Sequence, residues 1–178
     1  MAESERTRVR EREPVALNSY EIGMERDKAY AERQRTGRIV VRLKDTKQEL
    51  VRQGHLRFYL DAGRRVTDTP LQNWAVFTHE VRSVSGKHRH QGGLIIYVID
   101  GKGYSVVDGE RVDWEKGDLL LLPLKPKGVE HQHFNVDPEK PALWMAFIHQ
   151  GVREYVASEL TQTEPSPEWK ARQDGAGG

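Results

Sequence analysis

Cysteine is absent from the 178-residue sequence. That one absence removes disulfides, thiolate metal sites, iron–sulfur clusters and a cysteine nucleophile. Any metal site must be built from His, Asp, Glu or backbone oxygen. A charge excess is lacking too: 28 Lys and Arg oppose 27 Asp and Glu, for a net charge of +1. Such balance gives no electrostatic case for nucleic acid or a membrane surface, and no helix-turn-helix pattern is present. No run approaches the roughly 18 apolar residues that cross a bilayer. The opening "MAESERTRVRERE" alternates charges without an apolar stretch, unlike a secretory signal. A soluble cytoplasmic protein of one domain plus extensions is therefore expected.

Three regions differ in texture. Residues 1–37 form a charged N-terminal arm. Asn18 followed by Glu21 resembles a capping signal and Gly37 a stop, which predicts a helix over about 20–35. Its thin apolar stripe (Tyr20, Ile22, Tyr30) suits packing on the outside of the domain or on a partner subunit. Residues 38–150 contain short runs rich in Val, Ile, Leu and aromatics: "RIVVRL", "LRFYLD", "WAVFTHEVRSV", "LIIYVI", "GYSVVDGERVDW", "DLLLLP" and "PALWMAFIH". Turn signals at Asp61–Gly63, Asp100-Gly101, Asp108-Gly109, Lys116-Gly117 and Asp137-Pro138 separate them. That spacing predicts an all-β sandwich or barrel, with a tight hairpin at Asp108-Gly109. Residues 151–178 hold a short helix over "VREYVASEL" and a polar tail expected to fray.

Four of the seven histidines fall in two His-x-His pairs, His88/His90 and His131/His133. Residues two apart on a strand share a face, so each pair presents two imidazoles side by side, with Asn135 continuing the face of the second. Strand–turn–strand signals between the pairs bring one back toward the other. Neutral imidazole is the commonest transition-metal ligand, and a histidine site suits iron(II), zinc, manganese, nickel or copper.

These residues resemble the two motifs of the cupins. His88-Arg-His90 and Gly101 match the first; Gly117, Pro123, Pro126, Gly128, His131 and Asn135 match the second, with "LKP" inserted. The glutamate of the first motif is missing, its place falling on Leu94, or on Ile95 under the longer spacing. The resemblance implies a double-stranded β-helix (cupin jelly-roll barrel) with a helical arm and a short C-terminal helix. It implies a metal held by His88, His90 and His131 without a carboxylate. The stretches around both motifs are similar to the gentisate and salicylate ring-cleaving dioxygenases, which usually carry two such domains; the β-diketone-cleaving dioxygenases share the three-histidine set. By that likeness the cofactor is iron(II), the partners are dioxygen and a small molecule, His133 contacts substrate, and the protein is a homodimer.

Three neutral ligands leave the full +2 charge to attract a bidentate anion, such as a hydroxylated aromatic acid, a catecholate or an enolised diketone. They also leave three positions of an octahedral ion open. Trp144 is placed to wall an aromatic pocket, with core packing as the plain alternative. Asn135 is a second candidate for substrate binding. His133 could shuttle a proton or lie at the rim. His79 and His149 suit core hydrogen bonds, Glu130 points away from the metal, and Gln91 suits solvent. Arg57 and Arg82 offer forks for a carboxylate, and Lys125 and Lys127 flank a loop suited to the barrel mouth. Rival readings on the same ligands are a zinc hydrolase, lyase or isomerase, or a small-molecule-binding cupin without turnover.

Overall fold

In the computed structural model, which describes residues 18–61 and 66–176, alternation of buried and exposed side chains organises the strands. Strand β1 (Gln48–Val51) and β2 (Gly54–Asp61) form a hairpin. Strand β3 (Trp74–Val81), β4 (Lys87–His90), β5 (Leu94–Asp100), β6 (Lys102–Val107) and β7 (Glu110–Glu115) follow. Strand β8 (Leu119–Leu122), β9 (Val129–Asn135) and β10 (Ala142–His149) complete the barrel walls. A last strand, β11 (Thr161–Glu164), lies between two helices, α2 (Gln150–Tyr155) and α3 (Pro167–Gly175); α1 (Ser19–Thr36) precedes them all.

Two antiparallel sheets result. One is ordered β1-β2-β3-β10-β5-β8 and the other β11-β4-β9-β6-β7. Strand β10 illustrates why the sequence folds this way. Ala142, Trp144, Ala146 and Ile148 are buried while the residues between them are half-exposed, the period-2 pattern of a sheet with one wet face. With Leu56, Phe77, Val81, Ile96, Val98 and Trp114, those four form an apolar layer between the sheets. Each fully buried side chain of Val, Leu, Ile or Phe size contributes about 1.5–3 kcal/mol, so this layer holds the two sheets face to face. The hairpin at Asp108-Gly109 is present, with φ of 49° and 89°, the two left-handed conformations a two-residue turn requires.

Several expectations are corrected. "RIVVRL" is not a strand: a short 3₁₀ turn, Leu43–Asp45, follows an extended segment in which Ile39 and Val40 are exposed. Arg38 ties that segment to Asp68 instead of to a neighbouring strand, and the first sheet begins only at Gln48. Helix α1 forms where capping signals place it, yet Asn18 makes no side-chain cap and no residue of the helix is buried. It is tethered at its C-terminal end, where Gln34 donates to the carbonyl of Pro70 at 2.8 Å. The Asp61–Gly63 turn signal lies partly outside the described residues, as do residues 1–17 of the arm.

The tail does not fray. Thr161 and Gln162 pair with Arg89 and His88, so a segment distant in sequence edges the sheet that carries the first histidine pair. Ser166 then caps α3, accepting from the amide of Trp169, as a serine at that position does. Polar composition concealed this strand, because its side chains are mostly exposed and its stability comes from backbone pairing with β4.

Gly92 sits where the β4–β5 turn passes beneath the end of β8. A Cβ there would lie 1.8 Å from the carbonyl oxygen of Pro123. Gly92→Ala is expected to lower stability by about 1–3 kcal/mol, the usual cost of overpacking; urea denaturation with an unchanged midpoint would contradict this close approach.

Candidate metal centre

The histidines come together because β4 and β9 are neighbours in a particular register. His88 pairs directly with His131 across the two strands, while His90 pairs with Val129. All four members of the two His-x-His pairs point inward and are buried. Potential ligand atoms of His88, His90 and His131 all lie within 4.8 Å of one another, close enough to share one ion. Among the described residues, no other group of three or more His, Asp or Glu meets that condition.

Hydrogen bonds settle which ring nitrogen each of the three offers. The Nδ1 of His88 lies 3.0 Å from the carbonyl of Gly86, that of His90 2.6 Å from the carbonyl of Gln91, and that of His131 3.2 Å from the carbonyl of Val129. A carbonyl oxygen only accepts, so each Nδ1 carries the proton. Each Nε2 is left with a free lone pair, the arrangement that orients metal-ligating histidines. Burial acts in the same direction. It lowers the pKa of His88 to about 4, with the nearby charge of His90 adding to the effect. Burial likewise pushes His90 down, and His131 well below its usual value. Neutral imidazole is the form that binds metal. The donor set, its tautomers and its protonation therefore all fit a divalent transition-metal ion.

Residues around this trio line a cavity of about 170 Å³. Leu94 is buried and lines it, while Ile95 is on the exposed face of β5. The vacant glutamate position is therefore Leu94, and no carboxylate replaces it there. Trp144 lines the cavity as well, standing edge-on to both His133 and His79 at 4.9 and 4.7 Å between ring centroids. Its indole nitrogen is buried without a hydrogen-bond partner in the described structure. Its pocket-wall and core positions are thus the same place. His133 lines the cavity beside Trp144, its Nδ1 2.7 Å from the hydroxyl of Ser105. A larger groove of about 630 Å³ lies between β7 and β8, but contains no histidine; the chemistry belongs to the smaller space.

Other sequence candidates fall elsewhere. Asn135 does not line the cavity; its amide nitrogen lies within 3.0 Å of the carbonyls of Arg82, Asp137 and Lys140, and its carbonyl accepts from the Asp137 amide. These contacts tie the β9–β10 turn to the end of β3. Arg57 is committed to Thr46 and Arg82 to Glu80, neither in the cavity. Lys125 pairs with Asp108 on the outside, and neither it nor Lys127 lines the cavity. Gln91 is not solvated but clamps two turns, bonding the backbone of Lys125 and of Gly92. His79 lines the cavity and its Nε2 is without a partner, whereas His149 bonds Asn73 away from it. Glu130 faces outward, toward Lys87 and Arg89.

Sequence inspection missed Arg153 and Asp61, which line the cavity. The Arg153 charge acts on both His88 and His90. No motif signals it, because it comes from the short helix that follows the barrel.

The buried histidines give the metal-free protein an acid limit. Their pKa values in the fold lie below the roughly 6.5 of a free side chain, so between those limits the unfolded chain binds more protons. Stability then falls as pH drops below that value. Thermal melts of metal-free protein should show the midpoint decreasing steadily from pH 7 to pH 5; a flat profile would contradict the neutral, buried state of these rings.

Comparison with known proteins adds to the geometry. Residues 75–148 match the cupin domain. Acireductone dioxygenase from Phaeosphaeria nodorum is 34% identical over 79 residues, 42% of this chain and 43% of that protein. Gentisate 1,2-dioxygenase from a Streptomyces species is 40% identical over 65 residues, 36% of this chain and 17% of that protein. The chain thus spans less than half the length of either relative. Among solved structures, the polyketide cyclase RemF from Streptomyces resistomycificus superposes with a TM-score of 0.53 at 18% identity, covering 73% of this chain and 88% of that one. At such identity the likeness concerns the fold alone. With two antiparallel sheets closing over a histidine-lined cavity, and with the motif histidines His88, His90 and His131 in place, residues 75–148 of this chain are a cupin domain that lacks the glutamate of the first motif.

Proposed function

We propose that this protein is a metal-dependent dioxygenase that cleaves a carbon–carbon bond in a small anionic substrate held at two points. The observation that carries this reading is the donor set: three neutral imidazoles, with Leu94 where a carboxylate would complete the usual cupin ligands. His88, His90 and His131 would hold the ion, iron(II) in this reading; zinc, manganese, nickel and copper also suit such donors. Bound there, the ion would supply an undiminished +2 charge with open positions for a chelating substrate and for dioxygen. The names of the two relatives, acireductone dioxygenase and gentisate 1,2-dioxygenase, support the reaction class.

The chain's own residues support the substrate class. A cavity of about 170 Å³ is close to the roughly 150 Å³ that accommodates benzene in a protein core, so it suits one substituted ring or an enolised diketone. Trp144, Phe77 and Phe58 give it an aromatic wall. Arg153 adds a guanidinium to the same lining, where its charge acts on His88 and His90. The buried Asp61 lines the space too. A guanidinium and a divalent ion together favour a substrate carboxylate or enolate, for which arginine offers a bidentate fork. A homodimer belongs to this reading too. Ile95 pairs with Leu121 and Tyr97 with Leu119 on the outward face of β5 and β8, and all four are exposed.

The direct test is oxygen uptake after anaerobic iron(II) loading, with gentisate, salicylate, catechols, hydroxylated aromatic ketones and β-diketones as substrates. Uptake should require one substrate class, iron and His131, and His131→Ala should abolish it. No uptake across the panel, with zinc tightly bound in the protein as purified, would transfer the site to hydrolytic or lyase chemistry. Arg153→Ala should raise KM for a carboxylate substrate by about tenfold or more, matching the roughly 1.5–3 kcal/mol of a charged hydrogen bond. An unchanged KM would remove the arginine from substrate binding.

A further inference from the structure

We infer that Ser105, itself held by Trp114, is a positioning residue that fixes His133 as the Nε2–H tautomer, excluding it from the metal and making it a hydrogen-bond donor to a substrate oxygen. The tautomer follows from hydrogen bonding alone, whereas the role toward substrate rests on the dioxygenase reading above.

The argument counts protons. Two groups reach the Ser105 oxygen: the indole nitrogen of Trp114 at 2.9 Å and Nδ1 of His133 at 2.7 Å. An indole N–H can only donate, so Trp114 takes one acceptor position of the hydroxyl. Ser105 is completely buried, and its own proton must go to an acceptor. Among its bonds in the described structure, His133 Nδ1 is the one group able to accept it. The reverse assignment, with Nδ1–H donating, would leave a buried hydroxyl proton without a partner, which folded proteins avoid. His133 Nδ1 is therefore unprotonated. In the neutral ring the proton then resides on Nε2, the nitrogen left for the cavity that His133 lines.

The contrast with its neighbours is complete. Backbone carbonyls face Nδ1 of His88, His90 and His131 and leave an Nε2 lone pair on each. A hydroxyl faces Nδ1 of His133 and leaves an N–H. Geometry agrees independently, because the cluster of ligand atoms within 4.8 Å contains the first three histidines and not the fourth. A His-x-His pair that looks symmetrical in sequence is thus divided by what stands behind each ring.

The fold prepares this relay. Ser105 pairs with His133 across β6 and β9. On its other side Ser105 pairs with Val112, and Trp114, two residues further along β7, reaches it diagonally over the same face. That path crosses Gly103, where a Cβ would lie 2.5 Å from the Trp114 ring. Gly103, Ser105 and Trp114 form one device. Its consequence is selectivity: the substrate must present an oxygen acceptor to Nε2–H, and an amino-substituted isostere would set donor against donor.

The test is long-range ¹H–¹⁵N correlation of histidine rings in zinc-loaded, ¹⁵N-labelled protein, which is diamagnetic and needs no turnover. Wild type should show His88, His90 and His131 as Nδ1–H with zinc-shifted Nε2, and His133 as Nε2–H without a zinc shift. In Ser105→Ala the His133 proton should move to Nδ1, wholly or as a mixture, and Ser105→Thr should restore the wild-type pattern. An Nδ1–H or zinc-shifted His133 in wild type would overturn the inference, even if the alanine variant fails to fold. An unchanged His133 in folded Ser105→Ala would remove Ser105 from its control. Metal-free protein reports the same tautomer should zinc fail to bind, and loss of the oxygenase reading alone would leave the wild-type spectrum as described.

Discussion

The pairing register of two adjacent strands is the constraint on which the site depends. His88 stands opposite His131 because β4 and β9 are aligned at that residue pair. A slip of one residue would turn every histidine of the moved strand outward. Strand β4 has only four residues, too few to hold a register by itself. Its N-terminal end is fixed by Ser85, whose amide donates to His133 and whose hydroxyl and carbonyl accept from His133 and Gln132. Its C-terminal end is fixed by Gln91, which bonds Lys125 and Gly92 through its side chain and Ser158 through its amide. Register, not any feature of the imidazoles themselves, turns a repeated tripeptide into a ligand cluster.

Once the rings are inside, their surroundings assign their roles. Burial keeps them neutral, and backbone carbonyls turn three lone pairs toward a common point. The lack of an acid at Leu94 then matters for charge. A carboxylate there would offset part of the ion's charge and weaken its hold on an anionic substrate. In the proposed reading a leucine leaves that charge to the substrate, and Arg153, on the lining of the same cavity, favours the same sign of ligand.

Much of this was legible in the sequence, and the failures have common causes. Strands with apolar alternation, such as β5 and β10, announced themselves, as did the Asp108-Gly109 turn and the two histidine pairs. Strand β11 did not, because "TQTE" buries almost nothing and is held by backbone bonds to β4. "RIVVRL" misled in the opposite way, since β-branched residues without a neighbour to pair with do not make a strand. Asn135 has the right spacing for the histidine face, yet its amide is directed to the carbonyls of Asp137 and Lys140 in the following turn and of Arg82 after β3. Arg153 and Ser105 were invisible for one reason: each acts through a tertiary neighbour that no local pattern reveals.

The pairing of β11 with β4 also bears on how the molecule is made. Chains emerge from the ribosome N-terminus first and fold as they appear. The ligand strands β4 and β9 are both available once Asn135 has emerged, but the outer edge of β4 stays open until Thr161–Glu164 arrives. In that interval the nascent chain exposes a strand edge of the kind that invites aggregation. Its outward residues are Lys87 and Arg89, which Glu130 of β9 already faces and to which Glu164 is added with β11. The same cations that brace the finished sheet would thus guard the unfinished one, and the wall carrying the first histidine pair is completed only after the other barrel strands have emerged.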